Sequence, residues 1–293
     1  MRRWCLSLMA GLVLSGPLLA GQNLEELLAG TDAAGRTIEG RLDWSDRTLV
    51  VYGEGVVSDE VYNRGLRRLL GQRAAKVVAY RNLLELVGQV RVDGETNVSL
   101  AMVASDSVRI RVSGLVRGAE VVPGSQQEQD GVYRVALRLR LTEEFARALL
   151  PPTRVPEATQ TRFVPPKPFT GLVIDARGLD LQPGLSPRIL GPEGREIYSG
   201  AFVDPAYAAT IGVVGYQRDW EQAEKSDRLG SEERRPLTIK AAGVAGRYRT
   251  DAVVSEEDRV RIAMADAAGG FLRQCRVVFV LGPQSESTVP ASR

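Results

Sequence analysis

The chain has 293 residues, 44% of them hydrophobic and 25% charged, and its formal net charge is +2. This composition is typical of a folded globular protein, and the length leaves room for about two domains. The absence of histidine excludes Ser-His-Asp and Cys-His catalysis and every His-ligated metal site. The near-neutral charge provides no overall field that would attract nucleic acid or an anionic membrane.

Residues 1–21 have the pattern of a cleavable secretory signal peptide. Arg2 and Arg3 precede an apolar run that is too short, and too rich in small residues, to span a membrane comfortably. The segment ends in LLAG followed by Gln22, where a bacterial lipoprotein signal has its acylated cysteine. The sequence therefore predicts an exported periplasmic protein without a lipid anchor and without a transmembrane segment in its mature part.

Signal cleavage would remove one of the two cysteines of the chain. Cys5 lies within the signal, which leaves Cys275 as the thiol of the mature chain. No intramolecular disulfide can then form, although the periplasm would permit one. Because Cys275 begins the apolar run CRVVFVL, we expect a buried strand thiol, with an intersubunit disulfide as the alternative.

A proline-rich stretch divides the mature chain into two domains. Residues 151–168 contain six prolines, which donate no backbone hydrogen bond and favour extended conformations. This predicted linker separates a first domain, residues 22–150, from a second, residues 169–282. Residues 283–293 are polar and aperiodic, so they predict a disordered tail.

The first domain is predicted to be an α+β layer in which one long helix packs on an antiparallel sheet. The run TLVVYGEGV predicts a strand, and residues 59–87 predict the helix, capped by Ser58. Two alternating runs, SVRIRVSGLVRGAEVV and GVYRVALRLRLT, predict a β-hairpin, and EEFARALL predicts a short helix capped by Thr142. The helical residues expected to face the sheet are Leu66, Leu70, Val77, Tyr80, Leu84 and Val87.

Several of these segments resemble a known family. Four runs carry the resemblance: GEGVV, RAAKVVAYRNLLELVGQVRVDGET, SDSVRIRVSGLVRGAEVV and DGVYRVALRLRL. They are similar to parts of the LPP-twenty surface lipoproteins and of the related N-terminal module of flagellar assembly protein T. The resemblance covers residues 49–141 and implies an envelope or flagellum-associated assembly role without enzymatic activity. The missing lipobox cysteine is a departure from the family pattern.

Gly53, Gly55 and Ser58 form a GxGxxS pattern that imitates a dinucleotide-binding fingerprint. The third position is serine, and no parallel strand with a ribose-binding acid follows, so we predict no cofactor. The two glycines are instead expected to permit a tight strand-to-helix turn or a close contact with the helix.

Arg73 lies near the middle of the expected buried stripe, and Arg81 lies near its edge. A buried charge without a partner costs several kcal/mol. We therefore predict that both arginines fix the helix on the sheet through salt bridges or by capping carbonyls. The candidate acidic partners are Glu54, Glu85, Asp93 and Glu95.

The predicted hairpin would carry six arginines on the face opposite its apolar one. Like charges on neighbouring strands repel, so solvent or acidic groups must screen them. Two interpretations remain open: a solvated face with acidic neighbours, or an interface with a second subunit, another envelope protein or an anionic envelope polymer. The six are Arg109, Arg111, Arg117, Arg134, Arg138 and Arg140.

The second domain is predicted to be α+β, with helices and a mixed or antiparallel sheet. Strands are predicted for the runs FTGLVIDA, PLTIKAAGVAG, YRTDAVVS and CRVVFVL. A hairpin is predicted for PRIL and REIY around the turn GPEG. Asp204 and Ser255 are predicted to cap helices, and residues 217–230 to form a surface helix or a loop.

Catalytic chemistry has little support in the sequence. Four carboxylates could serve as the acid and base of a glycan hydrolase or as ligands of a hard cation, but no spacing among them supports either site. They are those of Asp175, Asp180, Asp204 and Asp251. We predict no metal, cofactor or nucleic-acid partner.

The leading hypothesis is a noncatalytic envelope protein with a structural or assembly role, associated with the flagellum or the outer membrane. Its partner is a second copy or another envelope protein. The alternatives are a periplasmic binding module for an envelope polymer or small ligand, and a carboxylate-based glycan hydrolase.

Overall fold

A computed structural model describes residues 24–31, 35–58, 60–141, 143–150, 168–230 and 233–282. The predicted signal peptide, the tail, the linker up to residue 167 and the cap Thr142 lie outside these residues. The predicted α+β class is confirmed, with a first domain built on an antiparallel sheet and a second built on parallel and mixed sheets.

The first domain contains an antiparallel sheet and four helices within its described residues. In chain order, its elements are β1 (Glu25–Thr31), β2 (Thr37–Asp43), β3 (Thr48–Val56), α1 (Arg64–Gln89), α2 (Val98–Ala104), α3 (Asp106–Arg117), β4 (Glu120–Val121), β5 (Gln127–Gln129), β6 (Val132–Arg140) and α4 (Glu143–Leu149). The strand order is β1-β2-β3-β6-β4, and β5 also pairs with β6. Strands β1 and β2 were not predicted, although β2 alternates exposed and buried residues along its length.

Helix α1 packs on β3 and β6, as predicted for the long helix, but it buries a different face. Its buried residues are Gly71, Ala75, Ala79, Asn82, Leu83, Leu86 and Val87. Leu66, Leu70, Val77 and Leu84, which were predicted to face the sheet, are exposed instead. The prediction is correct for Val87, which is buried, and Tyr80 is half-buried. It is wrong for the other four because it weighted large apolar residues, whereas the first half of the helix contacts the sheet through the small residues Gly71, Ala75 and Ala79.

The small residues let the helix backbone approach the strands closely. A methyl group placed on Gly53 would overlap the backbone of Ala75 and Ala79, and one on Gly55 would overlap the backbone of Gly71 and Ala75. Of the two predicted roles for Gly53 and Gly55, close contact with the helix is therefore the one observed. The side-chain amide of Asn82 adds a hydrogen bond of 2.7 Å to the carbonyl oxygen of Tyr52.

Helix α1 begins at Arg64, later than the predicted start at residue 59. The side-chain oxygen of Asn63 accepts a hydrogen bond of 2.9 Å from the backbone N–H of Leu66, which caps the helix. Ser58, the predicted cap, accepts a bond from the backbone N–H of Glu60 instead.

The first arm of the predicted hairpin is wrong, because residues 106–117 form helix α3. The side chain of Ser105 accepts a bond from Val108, and the charges of Asp106 and Arg117 at the two ends favour the helix dipole. Val112 and Val116 are buried, four residues apart, so the apolar residues also satisfy the helical period. The alternation of apolar residues with arginine covers only residues 108–112, which is too short to distinguish the period of a strand from that of a helix. The second predicted arm is confirmed as β6.

The second domain contains a parallel sheet and a mixed sheet. Its elements are β7 (Gly171–Ala176), β8 (Ile189–Leu190), β9 (Glu196–Tyr198), α5 (Pro205–Ile211), β10 (Gly215–Gln217), α6 (Trp220–Glu224), β11 (Pro236–Lys240), β12 (Gly243–Ala245), β13 (Asp251–Val253), α7 (Glu256–Gly269) and β14 (Val277–Leu281). The parallel sheet has the order β10-β14-β7-β11, and the mixed sheet has the order β12-β13-β8-β9. The predicted β8–β9 hairpin and the helix caps Asp204 and Ser255 are confirmed.

The two domains share one continuous cluster of buried apolar residues. Trp44 of the first domain meets Tyr216 of the second edge to face, with ring centroids 6.2 Å apart. The backbone N–H groups of Leu185 and Ser186 donate to the carbonyls of Arg91 and Val92, at 3.0 Å and 2.7 Å. The domains are therefore joined by backbone hydrogen bonds and a common core as well as by the chain.

Candidate functional site

A groove of about 340 Å³ lies beside α1, between this helix and the strands β4, β5 and β6. Its floor consists of buried or half-buried apolar groups, and its rim of polar and charged side chains, most of them exposed, together with the exposed Leu69. The lining residues are Arg68, Leu69, Gln72, Arg73, Ala75, Lys76, Val121, Gln126, Gln127, Glu128, Tyr133, Arg134 and Val135.

The rim of the groove carries an excess of positive charge. Arg68, Arg73 and Lys76 have no carboxylate partner among the described residues. The Lys76 ammonium lies 5.8 Å from the centroid of the Tyr80 ring. Arg134, by contrast, is paired with Glu54. The unpaired cations all belong to α1, so one side of the groove is basic.

Tyr133 connects the floor of the groove to its opposite rim. Burial, and then a hydrogen bond to the Glu128 side chain, raise the pKa of the Tyr133 phenol. The phenol therefore stays neutral at physiological pH. Its hydrogen bond holds Glu128 on the rim opposite the basic helix.

Helix α1 also presents an apolar surface to solvent, which we call the outer stripe: Leu66, Leu70, Val77 and Leu84. These residues are separated by four, seven and seven positions, so they fall within about 40° of one another around the helix. Between 40% and 49% of each side chain is exposed. This repeat is typical of a helix that packs against another apolar surface.

Arg73 and Arg81 are both exposed, and neither has an ion pair among the described residues. The prediction that they fix the helix on the sheet is wrong, because the stripe that contains Arg73 faces solvent. Of their predicted partners, Glu54 pairs with Arg134, and Asp93 accepts bonds from the backbone N–H groups of Glu95 and Thr96.

The six predicted face arginines do not share one surface element. Arg109, Arg111 and Arg117 lie on α3, where Arg109 pairs with Asp106 at 2.6 Å.

Arg134, Arg138 and Arg140 do lie on β6. Arg134 pairs with Glu54, and Arg138 pairs with Glu120 at 3.0 Å. For these two residues the structure supports the solvated face with acidic neighbours. The combined face was predicted because α3 had been assigned as a strand.

The four carboxylates considered for catalysis are engaged in separate local contacts. Asp175 accepts two bonds of 2.8 Å from the Arg177 guanidinium, which lowers the pKa of this carboxyl group. Asp180 pairs with Arg249 at 3.0 Å, and Asp204 caps α5.

Asp251 is fully buried at the domain boundary. Its carboxylate accepts bonds from the backbone N–H groups of Gly94 and Arg188 and from the Arg188 guanidinium. Burial raises the pKa of Asp251, and the bonds from Arg188 oppose that shift. This carboxylate therefore joins the domains.

Cys275 is a buried free thiol, as predicted, although it lies in the turn before β14 and not in the strand. Burial raises its pKa to about 11. The described part of the chain holds no group of three His, Cys, Asp or Glu side chains that could bind a metal ion. None of the helices in the described ranges combines the length and the apolar character needed to cross a bilayer.

Sequence reasoning missed the groove because its basic side belongs to α1, whereas most of its remaining lining comes from β4, β5 and β6, far from α1 in the chain. A signal was nevertheless present. Gly71, Ala75 and Ala79 form a row of small residues that matches Gly53 and Gly55, and this row identifies the buried face of the helix.

Comparison with known protein families finds a match within the second domain. Residues 171–283 match the family described as Treponema pallidum Tp0624, second domain. This match begins at the first residue of β7 and extends past the end of β14. No curated protein matches the chain.

Proposed function

We propose that this chain is a noncatalytic exported protein of the bacterial envelope with an assembly role, and that its first domain docks another envelope protein through the outer stripe of α1. Export is supported by the signal pattern at the N-terminus, and an envelope role by the resemblance of the first domain. The observation that carries the docking proposal is the exposure of four large apolar side chains on one side of a long, well-anchored helix.

The charge of α1 favours a different protein over a second copy as the partner. The helix carries six basic side chains, Arg64, Arg67, Arg68, Arg73, Lys76 and Arg81, and one acidic side chain, Glu85. Two copies of α1 packed stripe to stripe would bring like charges together, which opposes association. An apolar surface with acidic residues at its rim would complement the stripe.

A photo-crosslinking amino acid at Leu66 or Leu70 tests this docking in cells. The matched control position is Tyr52, which has similar exposure but lies on the sheet face turned away from α1. We expect a crosslinked product from the α1 positions and none from Tyr52. The captured protein is then identified by mass spectrometry and purified.

The purified pair decides between specific docking and chance capture. We expect Leu66→Ala with Leu70→Ala to weaken the association at least tenfold while leaving the thermal unfolding midpoint within a few degrees of the wild type. Leu27→Ala, at an exposed leucine of β1, should leave the affinity unchanged. A product with twice the mass of the chain would show that the stripe binds a second copy, and an undiminished affinity would contradict docking through the stripe.

A further inference from the structure

The groove beside α1 has the features of a peptide-binding site, and we propose that it binds an extended acidic segment of another protein. The groove adjoins the outer stripe on α1, and Arg73 borders both, but the proposal does not depend on docking at the stripe. The apolar floor, the basic rim and the amide side chains each match one part of such a ligand.

The row of polar side chains along α1 determines how far apart the acidic residues of the bound peptide must be. Arg68, Gln72 and Lys76 are four residues apart, so Arg68 and Lys76 lie about 12 Å apart along the helix axis. An extended chain advances about 3.3 Å per residue, so side chains four positions apart are separated by about 13 Å. Two carboxylates at positions i and i+4 of an extended segment can therefore face the two cations at once.

The charge of the rim determines the sign of the ligand. Arg68, Arg73 and Lys76 have no carboxylate partner among the described residues, and a bound carboxylate would form charge-assisted hydrogen bonds with them. Glu128 on the opposite rim is already held by Tyr133, and its charge favours a ligand whose acidic groups lie on the α1 side.

The remaining groups of the groove fit a peptide better than a small anion. Gln72, Gln126 and Gln127 each offer a donor and an acceptor, which is what a peptide backbone requires. Ala75, Tyr133 and Val135 form an apolar floor that can bury the side chain at position i+2, between the two acidic residues. The volume lies at the lower end of the range for ligand sites and accommodates a short segment.

An array of seven-residue peptides tests the spacing. Each peptide contains one leucine and two Asp residues placed two, three or four positions apart, and its control has Asn in place of both Asp residues. Binding to the purified chain lacking the signal is measured by fluorescence polarisation. We expect the four-position peptide with leucine midway to bind at least tenfold more tightly than its Asn control, and more tightly than the other spacings.

Variants of the rim locate the site. Arg68→Ser with Lys76→Ser should weaken binding of the four-position peptide at least tenfold and leave binding of the Asn control unchanged. Arg111→Ser, at an exposed arginine of α3, is the matched control and should bind as the wild type does. Circular dichroism of each variant confirms that it is folded.

Three results would overturn the proposal. They are equal binding of the Asp and Asn peptides, binding that persists in the double rim variant, and capture of anionic phosphatidylglycerol vesicles through Arg68 and Lys76 with no peptide binding. The last result would assign the basic rim to a lipid surface. Because Leu66 and Leu70 are unchanged in these variants, failure here leaves docking through the outer stripe untouched.

Discussion

The ring of Tyr133 lies so close to Gly71 that a methyl group at Gly71 would overlap it. Gly71 thus sets how closely α1 approaches β6, and the same ring forms part of the groove floor. This contact therefore links the packing of α1 on the sheet to the shape of the groove.

Gly71→Ala should lower the free energy of unfolding by about 1–3 kcal/mol, because overpacking outweighs the better helix propensity of alanine. Gly114→Ala is the matched control: Gly114 is also helical, but nothing lies within 4 Å of the added methyl group. We expect this control to raise the unfolding free energy by up to about 1 kcal/mol. Urea denaturation measures both variants, and stabilisation of both would contradict the contact.

Asn63→Ala should cost about 1 kcal/mol of stability, since it removes the oxygen that caps α1. Ser58→Ala should cost less than about 0.5 kcal/mol, because Ser58 lies outside the helix. Urea denaturation gives the two values, and amide hydrogen exchange at Leu66 should accelerate only in the Asn63 variant. A larger effect at Ser58 would restore the original prediction of the helix start.

Asp251→Asn should destabilise the protein by about 2–3 kcal/mol, because it removes the ion pair of Arg188 at the domain boundary. We expect a smaller loss of stability than for a fully buried ion pair, because 28% of the Arg188 side chain is exposed and water can solvate its charge in the variant. Asp227→Asn breaks an ion pair with Arg234 in which Asp227 is 96% exposed, and it should change stability by less than about 1 kcal/mol. Thermal unfolding compares the two, and equal effects would show that the buried ion pair of Asp251 with Arg188 contributes no more than an exposed one.

Stability should fall between pH 8 and pH 10 in part because of Cys275, whose pKa is raised by burial to about 11. An unfolded thiol ionises near pH ~8.5, so over this range the unfolded state loses a proton that the folded state keeps. The unfolded state then binds fewer protons, and the free energy of unfolding decreases as the pH rises.

Cys275→Ala isolates this contribution. The variant carries a packing penalty at every pH, so the comparison is between the slopes of its stability and that of the wild type. From pH 8 to pH 10 the wild type should lose about 1–2 kcal/mol more than the variant in urea denaturation. If the stability of the wild type and that of the variant fall with the same slope as the pH rises, the thiol is accessible to solvent in the folded state.

The second domain was predicted more accurately than the first, for a physical reason. Its strands are continuous apolar runs bounded by turn residues, as in FTGLVIDA and CRVVFVL, and its helices begin at clear caps such as Asp204 and Ser255. These signals are local. Parallel pairing in one of its sheets arises from the order in which distant strands meet, which no local signal contains.

The candidate sites were predicted poorly for the converse reason. The stripe containing Leu66 and Leu70 was recognised in the sequence but assigned to the core, because hydrophobicity alone does not say which apolar face meets the sheet. Gly53 and Gly55 admit the small-residue face of α1 and leave the large apolar residues outside. The arginines were grouped on one face because a run of five alternating residues fits a strand and a helix equally well.

By itself, the sequence determined the α+β class, the long helix, the second arm of the hairpin, the caps at Asp204 and Ser255 and the buried thiol at Cys275, since each depends on local propensity or on residue type. The tertiary structure decided which face of α1 is buried, that residues 106–117 are helical, and that Asp251 joins the two domains. Those outcomes depend on how closely two backbones can approach and on which distant groups meet. Such relationships arise only when the chain has folded.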